Sequence, residues 1–133
     1  MKQSATVLNN DNTVFFDVDD TLVLWEYPHE QIDNTIVISA QDGYSVRVLP
    51  HLEHIKRLKQ FKARAQGVVV WSQGGWEWAQ AVVRALDLDE YVDIIMAKPR
   101  WLFDDLPVKY FLNESNRTYI DPVTGINTVR KET

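Results

Sequence analysis

The stretch Thr13-Val-Phe-Phe-Asp17-Val-Asp19-Asp-Thr21 decides the fold of this chain. Its first part, residues 13–18, is rich in β-branched and aromatic residues and predicts a central strand that leads directly into acidic residues. Because residues i and i+2 of an extended strand lie on the same face, the Asp17 and Asp19 carboxylates can address one substrate atom from two directions. We therefore expect the chemistry of the protein at the end of this strand.

Downstream of this stretch, strand-like and helix-like patterns alternate. Residues 68–72 form a nearly continuous apolar run, as expected for a parallel strand covered on both faces. Residues 94–97 and 100–104 predict two further short strands. One helix is expected to start at Pro50 and end at Gly67, and a second to cover about 76–86. This alternation predicts an α/β fold with a doubly wound, mostly parallel sheet.

A β-hairpin pattern interrupts the alternation at residues 35–49. Asp42-Gly43 suits a tight turn between two β-prone arms, and we expect the hairpin to project as a flap. No repeat or linker divides the chain, so a single domain is expected over residues 1–133. Its core is predicted at about 13–120, followed by a polar tail at about 121–133.

Composition excludes several classes of protein. The 133 residues, 45% of them hydrophobic, have the composition of one ordinary globular domain. Because the chain contains no cysteine, a disulfide framework, a thiolate metal site and a cysteine nucleophile are all excluded. No apolar stretch approaches the ~20 residues of a membrane span, so we expect a cytoplasmic protein without a membrane partner. The formal net charge of −5 disfavours nucleic-acid binding that rests on global charge.

Polar side chains follow each of the predicted parallel strands. Ser72-Gln73 ends the second strand, Lys98 follows the third, and Asp104-Asp105 ends the fourth. Ligands of such sheets bind where the carboxyl ends of the strands meet. Crowded carboxylates need a counter-charge, and oxygen ligands with retained water suit Mg²⁺. Carboxylate, cation, amine and hydroxyl together are what phosphoryl transfer requires.

The order of these residues resembles the four motifs of phosphatases of the haloacid-dehalogenase (HAD) superfamily. The matching residues are Asp17-X-Asp19-X-Thr21, Ser72, Lys98 and Asp104-Asp105, each after a β-like run. The resemblance covers roughly residues 13–110 and implies a HAD-like Rossmannoid fold and phosphatase activity. Four motifs in the right order are far more specific than one Asp-X-Asp alone.

The resemblance also implies a catalytic role for individual residues. Asp17 would be the nucleophile that forms an aspartyl-phosphate, and Asp19 the general acid and base. Ser72 and backbone N–H groups near Gln73 would bind phosphate. Lys98 would hold both the phosphoryl group and the nucleophile.

A magnesium site is the further implication of this resemblance. Mg²⁺ would be bound by the Asp17 carboxylate, the backbone carbonyl of Asp19 and the Asp104 carboxylate. Asp105 would act through a water molecule or as a second ligand. The cofactor expected for this chain is therefore Mg²⁺.

The chain length leaves no room for the cap domain of many superfamily members. This resembles the capless layout of the RNA polymerase C-terminal-domain phosphatases and the small magnesium-dependent phosphatases. An open crevice suits a macromolecular phosphate, either a phosphoprotein or a polynucleotide end. The alternatives are a small-nucleotide or sugar phosphatase whose site is closed by oligomerisation, and a catalytically inactive binding module of the same fold.

Aromatic residues are predicted around the mouth of the crevice. Trp25, Tyr44 and Trp76 are candidate substrate contacts, because their rings can stack on a base or sugar or grip a peptide. Trp78 lies on the same side of the predicted helix as Val82 and Leu86, and it is predicted to be a core residue.

Three other polar features have simpler explanations. His51 and His54 are expected to be ordinary residues at a helix start, since no third ligand lies nearby in the sequence. The basic run at 56–64 is interpreted as a solvated helix face, with a polyanion patch as the alternative. The acidic residues Asp87, Asp89, Glu90 and Asp93 are likewise expected to face solvent.

Overall fold

The computed structural model describes residues 5–40, 42–120 and 127–128. The strands in this part of the chain are β1 (Thr13–Asp17), β2 (Val23–Leu24), β3 (Ile36–Ser39), β4 (Ser45–Pro50), β5 (Gly67–Ser72), β6 (Ile94–Ala97), β7 (Tyr119–Ile120) and β8 (Asn127–Thr128). The α-helices are α1 (Leu52–Ala63) and α2 (Trp76–Ala85), with 3-10 turns at His29–Asn34, Asp89–Tyr91, Val108–Tyr110 and Glu114–Asn116. Most of the tail predicted at 121–133 lies outside the described residues.

A parallel sheet of three strands forms the centre of the molecule. Its order is β1-β5-β6, with Asp17 opposite Trp71 and Ser72 opposite Ala97. In β5, the central strand, Val68, Val69 and Val70 are all buried, as expected for a strand covered on both faces. The predicted α/β class is confirmed, and the carboxyl ends of the three strands lie at one edge. The doubly wound arrangement stays a prediction.

The hairpin is confirmed, but it is integrated into the fold and does not project as a flap. β3 pairs antiparallel with β4, and β4 pairs on its other side with β2. Ile38 and Val48 point into the hydrophobic core, because alternate residues of these strands face the same side. Gly43 adopts a φ of 85° at the turn, a conformation that glycine favours. The opposite face of the hairpin, which includes Val37 and Arg47, and the region of the tip are exposed.

Helix α1 begins two residues later than predicted. Pro50 is the last residue of β4, in register with Val23, and is not the first residue of the helix. His51 is the N-cap, and its Nδ1 accepts a hydrogen bond from the backbone N–H of His54 at 3.2 Å. A proline suits a strand end as well as a helix start, since it needs no hydrogen-bonded N–H in either place. Gly67 likewise begins β5 and does not cap the helix.

Helix α2 agrees closely with the predicted span. Its N-cap is Gly75, whose φ of 109° is strained for any residue with a side chain. The inner face of the helix buries Trp78, Ala79, Val82 and Val83 in the core. The helix is therefore anchored firmly, with its first turn close to the end of β5.

The fourth strand predicted at 100–104 is wrong. These residues have no regular structure, and the Trp101 and Phe103 side chains are 86% and 97% exposed. A parallel neighbour for β6 would need a crossover of about a dozen residues, whereas only Lys98 and Pro99 separate the two segments.

In the part of the chain that the structure describes, no helix has the length and apolar character needed to cross a membrane.

Candidate active site

Three strand ends of the parallel sheet bring the candidate catalytic residues to one edge. Asp17 ends β1, Ser72 ends β5, and Lys98 follows β6. The backbone N–H of Lys98 donates to the carbonyl of Ser72 at 2.9 Å, which fixes the chain as it leaves β6. The sheet topology therefore places a carboxylate, a hydroxyl and an amine side by side.

Asp17 is held between an amine and a hydroxyl. The Lys98 Nζ atom lies 3.2 Å from Asp17 Oδ1, and the Thr21 hydroxyl donates to Oδ2 at 3.4 Å. The Asp17 and Lys98 side chains are each about one-third exposed, at 33% and 34%. An ion pair that remains open to solvent on one side can orient a carboxylate and still leave it accessible to a substrate.

The loop after Asp17 is a tight turn anchored to helix α1. The carbonyl of Val18 accepts hydrogen bonds from the N–H groups of Thr21 at 3.2 Å and Leu22 at 2.9 Å. The buried His54 places its Nδ1 2.7 Å from the carbonyl of Thr21, and its ring stacks on His51 at 3.4 Å. The two histidines thus hold the loop after Asp17 at the start of the helix.

Asp19 is the residue with the most specific surroundings. Its Oδ1 accepts two hydrogen bonds of 2.8 Å, one from Trp25 Nε1 and one from Trp78 Nε1. Trp78 is a core residue, as predicted, but its contact with Asp19 was not foreseen. The sequence does offer a hint of this contact. A buried indole N–H needs a hydrogen-bond acceptor, and Trp78 comes shortly after the strand that ends at the candidate site residue Ser72. Two residues far apart in the chain therefore converge on one carboxylate oxygen.

Asp20 adds a third carboxylate to this edge. It adopts a left-handed φ of 61°, and its Oδ1 accepts from the backbone N–H of Trp25 at 3.4 Å. Burial raises the pKa of Asp20 above its usual value, and the nearby carboxylates of Asp19 and Asp17 act in the same direction. The negative charge at this edge is therefore only partly compensated by Lys98.

The turn between β5 and α2 has the form of an anion cradle. The buried Ser72 Oγ accepts from the backbone N–H of Gly74 at 3.0 Å, and Gln73 is exposed beside it. A Cβ on Gly74 would lie 3.3 Å from Ser72 Oγ, so the chain passes close to the hydroxyl. The first N–H groups of α2 have no partner within the helix and follow directly. Such a helix start favours a phosphate group.

Within the described part of the chain, Asp104 and Asp105 form no metal-binding group with other acidic or histidine side chains. Both side chains are exposed in the irregular stretch after β6. Asp104 Oδ1 accepts from the backbone N–H of Leu106 at 3.1 Å, and this hydrogen bond lowers the pKa of Asp104 below its usual value. Their sequence context predicts a position at the end of a strand over residues 100–104, and the structure forms no strand there.

The arrangement does not fit a complete magnesium site. Asp17 and Asp19 offer the hard oxygen donors that Mg²⁺ prefers. Across residues 5–40 and 42–120, however, no three acidic or histidine side chains are grouped closely enough to hold a metal ion. The oxygen donors are present but do not converge.

A groove of about 480 Å³ runs past Asp19. All three predicted substrate contacts, Trp25, Tyr44 and Trp76, line it together with Trp78. The Tyr44 ring centroid lies 6.4 Å from that of Trp25 and 6.1 Å from that of Trp78, so the hairpin tip packs against the site. The remaining lining residues are Ala40, Asp42, Gly74, Gly75 and Glu77. The described wall of the groove is thus aromatic and acidic, without a lysine or arginine.

Comparison with known proteins gives one family match. The model of the NLI interacting factor-like phosphatase family matches residues 12–106, a span that includes β1, β5, β6 and both helices. Neither a curated protein nor a solved structure matches the chain significantly. The matched span covers most of the chain and contains Asp17, Asp19, Ser72 and Lys98. The chain therefore belongs to the NLI interacting factor-like phosphatase family, a HAD-like family related to the polymerase C-terminal-domain phosphatases.

Proposed function

We propose that the protein is a phosphomonoesterase that works through an aspartyl-phosphate on Asp17. The observation that supports the proposal is the Asp17 carboxylate, held 3.2 Å from the Lys98 amine, with Asp19 two residues further along the chain. A nucleophile, a cationic group for the phosphoryl oxygens and a second carboxylic acid are the parts that this reaction needs.

The reaction takes place in two balanced steps. In the first, an oxygen of Asp17 attacks phosphorus, the phosphorus–oxygen bond of the ester breaks, and Asp19 gives its proton to the departing alkoxide. In the second, Asp19 takes a proton from water, whose oxygen attacks the phosphorus of the acyl phosphate. Inorganic phosphate leaves and the Asp17 carboxylate is restored.

Lys98, Ser72 and the start of α2 hold the phosphoryl group during both steps. The amine is already beside the nucleophile, and the buried Ser72 hydroxyl lies at the neighbouring strand end. Backbone N–H groups near Gln73 complete the set. These donors stabilise charge that moves onto the leaving group and the non-bridging oxygens.

Magnesium dependence is part of the proposal, and the family match is its support. A site with three protein carboxylates would require Asp104 or Asp105 to approach Asp17.

A phosphoprotein is the substrate class that the groove favours. Its described wall contains Asp42 and Glu77 and no basic residue. The negative charge of these two side chains repels the phosphate backbone of a polynucleotide. Three basic residues of the run at 56–64 also have partners within the fold: Arg57 with Glu53, Lys59 with the Tyr91 ring and Lys62 with Asp93. The solvated-face interpretation of that run is therefore better supported than the polyanion patch.

Hydrolysis of an aryl phosphate and an alkyl phosphate by the full chain with Mg²⁺ tests the activity. Asp17→Asn is expected to abolish turnover of both substrates, because an amide oxygen is a poor nucleophile. Asp19→Asn is expected to slow the alkyl ester at least about 100-fold, and more than the aryl ester, since the poorer leaving group depends more on protonation.

Asp33→Asn, at an exposed aspartate outside the site, is the matched control and should retain turnover. Circular dichroism of each variant separates loss of chemistry from loss of fold. Turnover that survives Asp17→Asn would contradict the mechanism.

A further inference from the structure

We infer that Trp25 and Trp78 are positioning residues for Asp19 and together form an indole clamp that fixes the orientation of its carboxylate toward the substrate. The inference deepens the proposed function and its kinetic part rests on it. Neither tryptophan needs to touch the reacting atoms for this role.

The two hydrogen bonds of the clamp share one acceptor. Trp25 Nε1 and Trp78 Nε1 each lie 2.8 Å from Asp19 Oδ1, within the range of charge-assisted bonds. An indole N–H is only a donor, so it holds Oδ1 as an acceptor. Oδ2 is then the oxygen left to exchange a proton with the leaving group or with water.

The remaining oxygen faces the phosphate cradle. A Cβ built on Gly74 would lie 3.8 Å from Asp19 Oδ2 and 3.3 Å from Ser72 Oγ, so both oxygens border the same small space. A partial rotation of the carboxylate would break two hydrogen bonds at once, whereas a half-turn restores the same arrangement because its two oxygens are equivalent. The clamp therefore keeps the proton-carrying oxygen on the side of the phosphoryl group.

Packing holds the clamp itself in place. Trp78 is only 8% exposed and belongs to the hydrophobic core on the inner face of α2. The Trp25 ring lies 6.1 Å from the Trp78 ring, and Tyr44 from the hairpin tip contacts both. Because core side chains interdigitate closely, the Trp78 ring cannot turn without displacing its neighbours. The orientation of Asp19 is thus set by the core of the molecule.

Nuclear magnetic resonance of the indole N–H groups tests the clamp without any turnover. The chain has five tryptophans, and Trp25→Phe and Trp78→Phe identify two of the indole signals. Asp19→Ala is expected to shift both signals together, whereas Asp19→Asn, which keeps an oxygen acceptor, shifts them less. The Trp71 signal, whose ring packs on Phe15, is the internal control. If the chemical shifts of the Trp25 and Trp78 indole signals do not change in Asp19→Ala, the inference is overturned.

Kinetics of the clamp variants test its effect on protonation. Trp25→Phe and Trp78→Phe are each expected to lower kcat for an alkyl phosphate about tenfold more than for a nitrophenyl phosphate, with KM little changed. Trp71→Phe is the matched control and should lower both equally or not at all. In an Asp19→Asn background the selective loss should vanish, because both changes act through the same group.

The outcomes separate the clamp from the proposed function and from misfolding. Equal losses on both phosphates, or a selective loss that persists in the Asp19→Asn background, would overturn the positioning role. If the wild-type chain hydrolyses neither phosphate, the proposed function fails while the resonance experiment still decides whether the clamp exists. Trp25 is 37% exposed, so its replacement tests the role even if Trp78→Phe disturbs the core.

Discussion

At the scale of single residues, the site depends on a few atoms that the backbone brings unusually close. A Cβ on Gly74 would lie 3.3 Å from Ser72 Oγ, a tight contact, and 3.8 Å from Asp19 Oδ2, an ordinary one. The Gly74 N–H also donates to Ser72 Oγ at 3.0 Å. A side chain at this position would therefore press on the Ser72 hydroxyl, and its introduction tests the geometry directly.

Gly74→Ala is expected to lower phosphatase kcat by about tenfold, with little loss of stability. The added methyl group would crowd Ser72 Oγ, and small displacements of catalytic groups are costly. Gly43→Ala is the matched glycine substitution with the opposite expectation. Its positive φ strains any other residue by about 1 kcal/mol, while nothing lies within 4 Å of its Cβ. Kinetics and thermal unfolding are measured for both variants. A loss of stability without a loss of kcat in Gly74→Ala, or a loss of kcat without a loss of stability in Gly43→Ala, would contradict these expectations.

At the scale of elements, the Asp93 carboxylate links α1 and β5 to the start of β6. Its Oδ1 accepts from Lys62 Nζ on α1 at 2.6 Å, and its Oδ2 accepts from the backbone N–H of Val68 on β5 at 2.8 Å. Asp93 is exposed, as expected, and its carboxylate is in addition held by these two hydrogen bonds. The hydrogen bond from Lys62, followed by that from Val68, lowers the pKa of Asp93 below its usual value.

Asp93→Asn is expected to destabilise the fold by about 1 kcal/mol at neutral pH, a value reduced for the solvent exposure of the pair. Because the folded-state pKa of Asp93 is lowered, its stabilisation is present above the ordinary aspartate pKa. It is lost as pH falls from about 4 through the lowered value. Urea unfolding at several pH values should show the variant and wild type converging in acid. Asp89→Asn, at an exposed acid of the same segment, is the control and should change the free energy of unfolding little. If the difference in free energy of unfolding between wild type and Asp93→Asn stays constant down to pH 2, this linkage is contradicted.

The elements that the sequence predicted correctly are those with a strong local pattern. The strand at Gly67–Ser72 is an unbroken apolar run, and α2 has a clear inner stripe, so neighbouring residues suffice to predict them. The strand predicted at 100–104 failed because β-propensity says nothing about whether a partner strand is within reach. Contacts that join distant residues, such as Trp78 with Asp19, leave only a weak local trace. The strand-end residues of the site were predictable because parallel topology alone brings them together.

At the scale of the whole molecule, two sheets meet around one acidic edge. The parallel sheet supplies Asp17, Ser72 and Lys98, while the antiparallel sheet brings the hairpin tip and Tyr44 against the clamp. The chain carries a net charge of −5, and the groove adds acids of its own. Long-range attraction of polyanions is therefore weak, and substrate selection must come from contacts in the groove.

Mass spectrometry of the phosphoenzyme is the sharpest test of the aspartyl-phosphate mechanism. Asp19→Asn chain, mixed with a nitrophenyl phosphate and Mg²⁺ and quenched in acid, should carry one phosphoryl group, because the good leaving group departs without a proton and hydrolysis then lacks its base. Peptide mapping is expected to place the group on Asp17, and the Asp17→Asn, Asp19→Asn double variant should carry none. A phosphoryl group on any other residue, or turnover without a phosphoenzyme, would contradict the account.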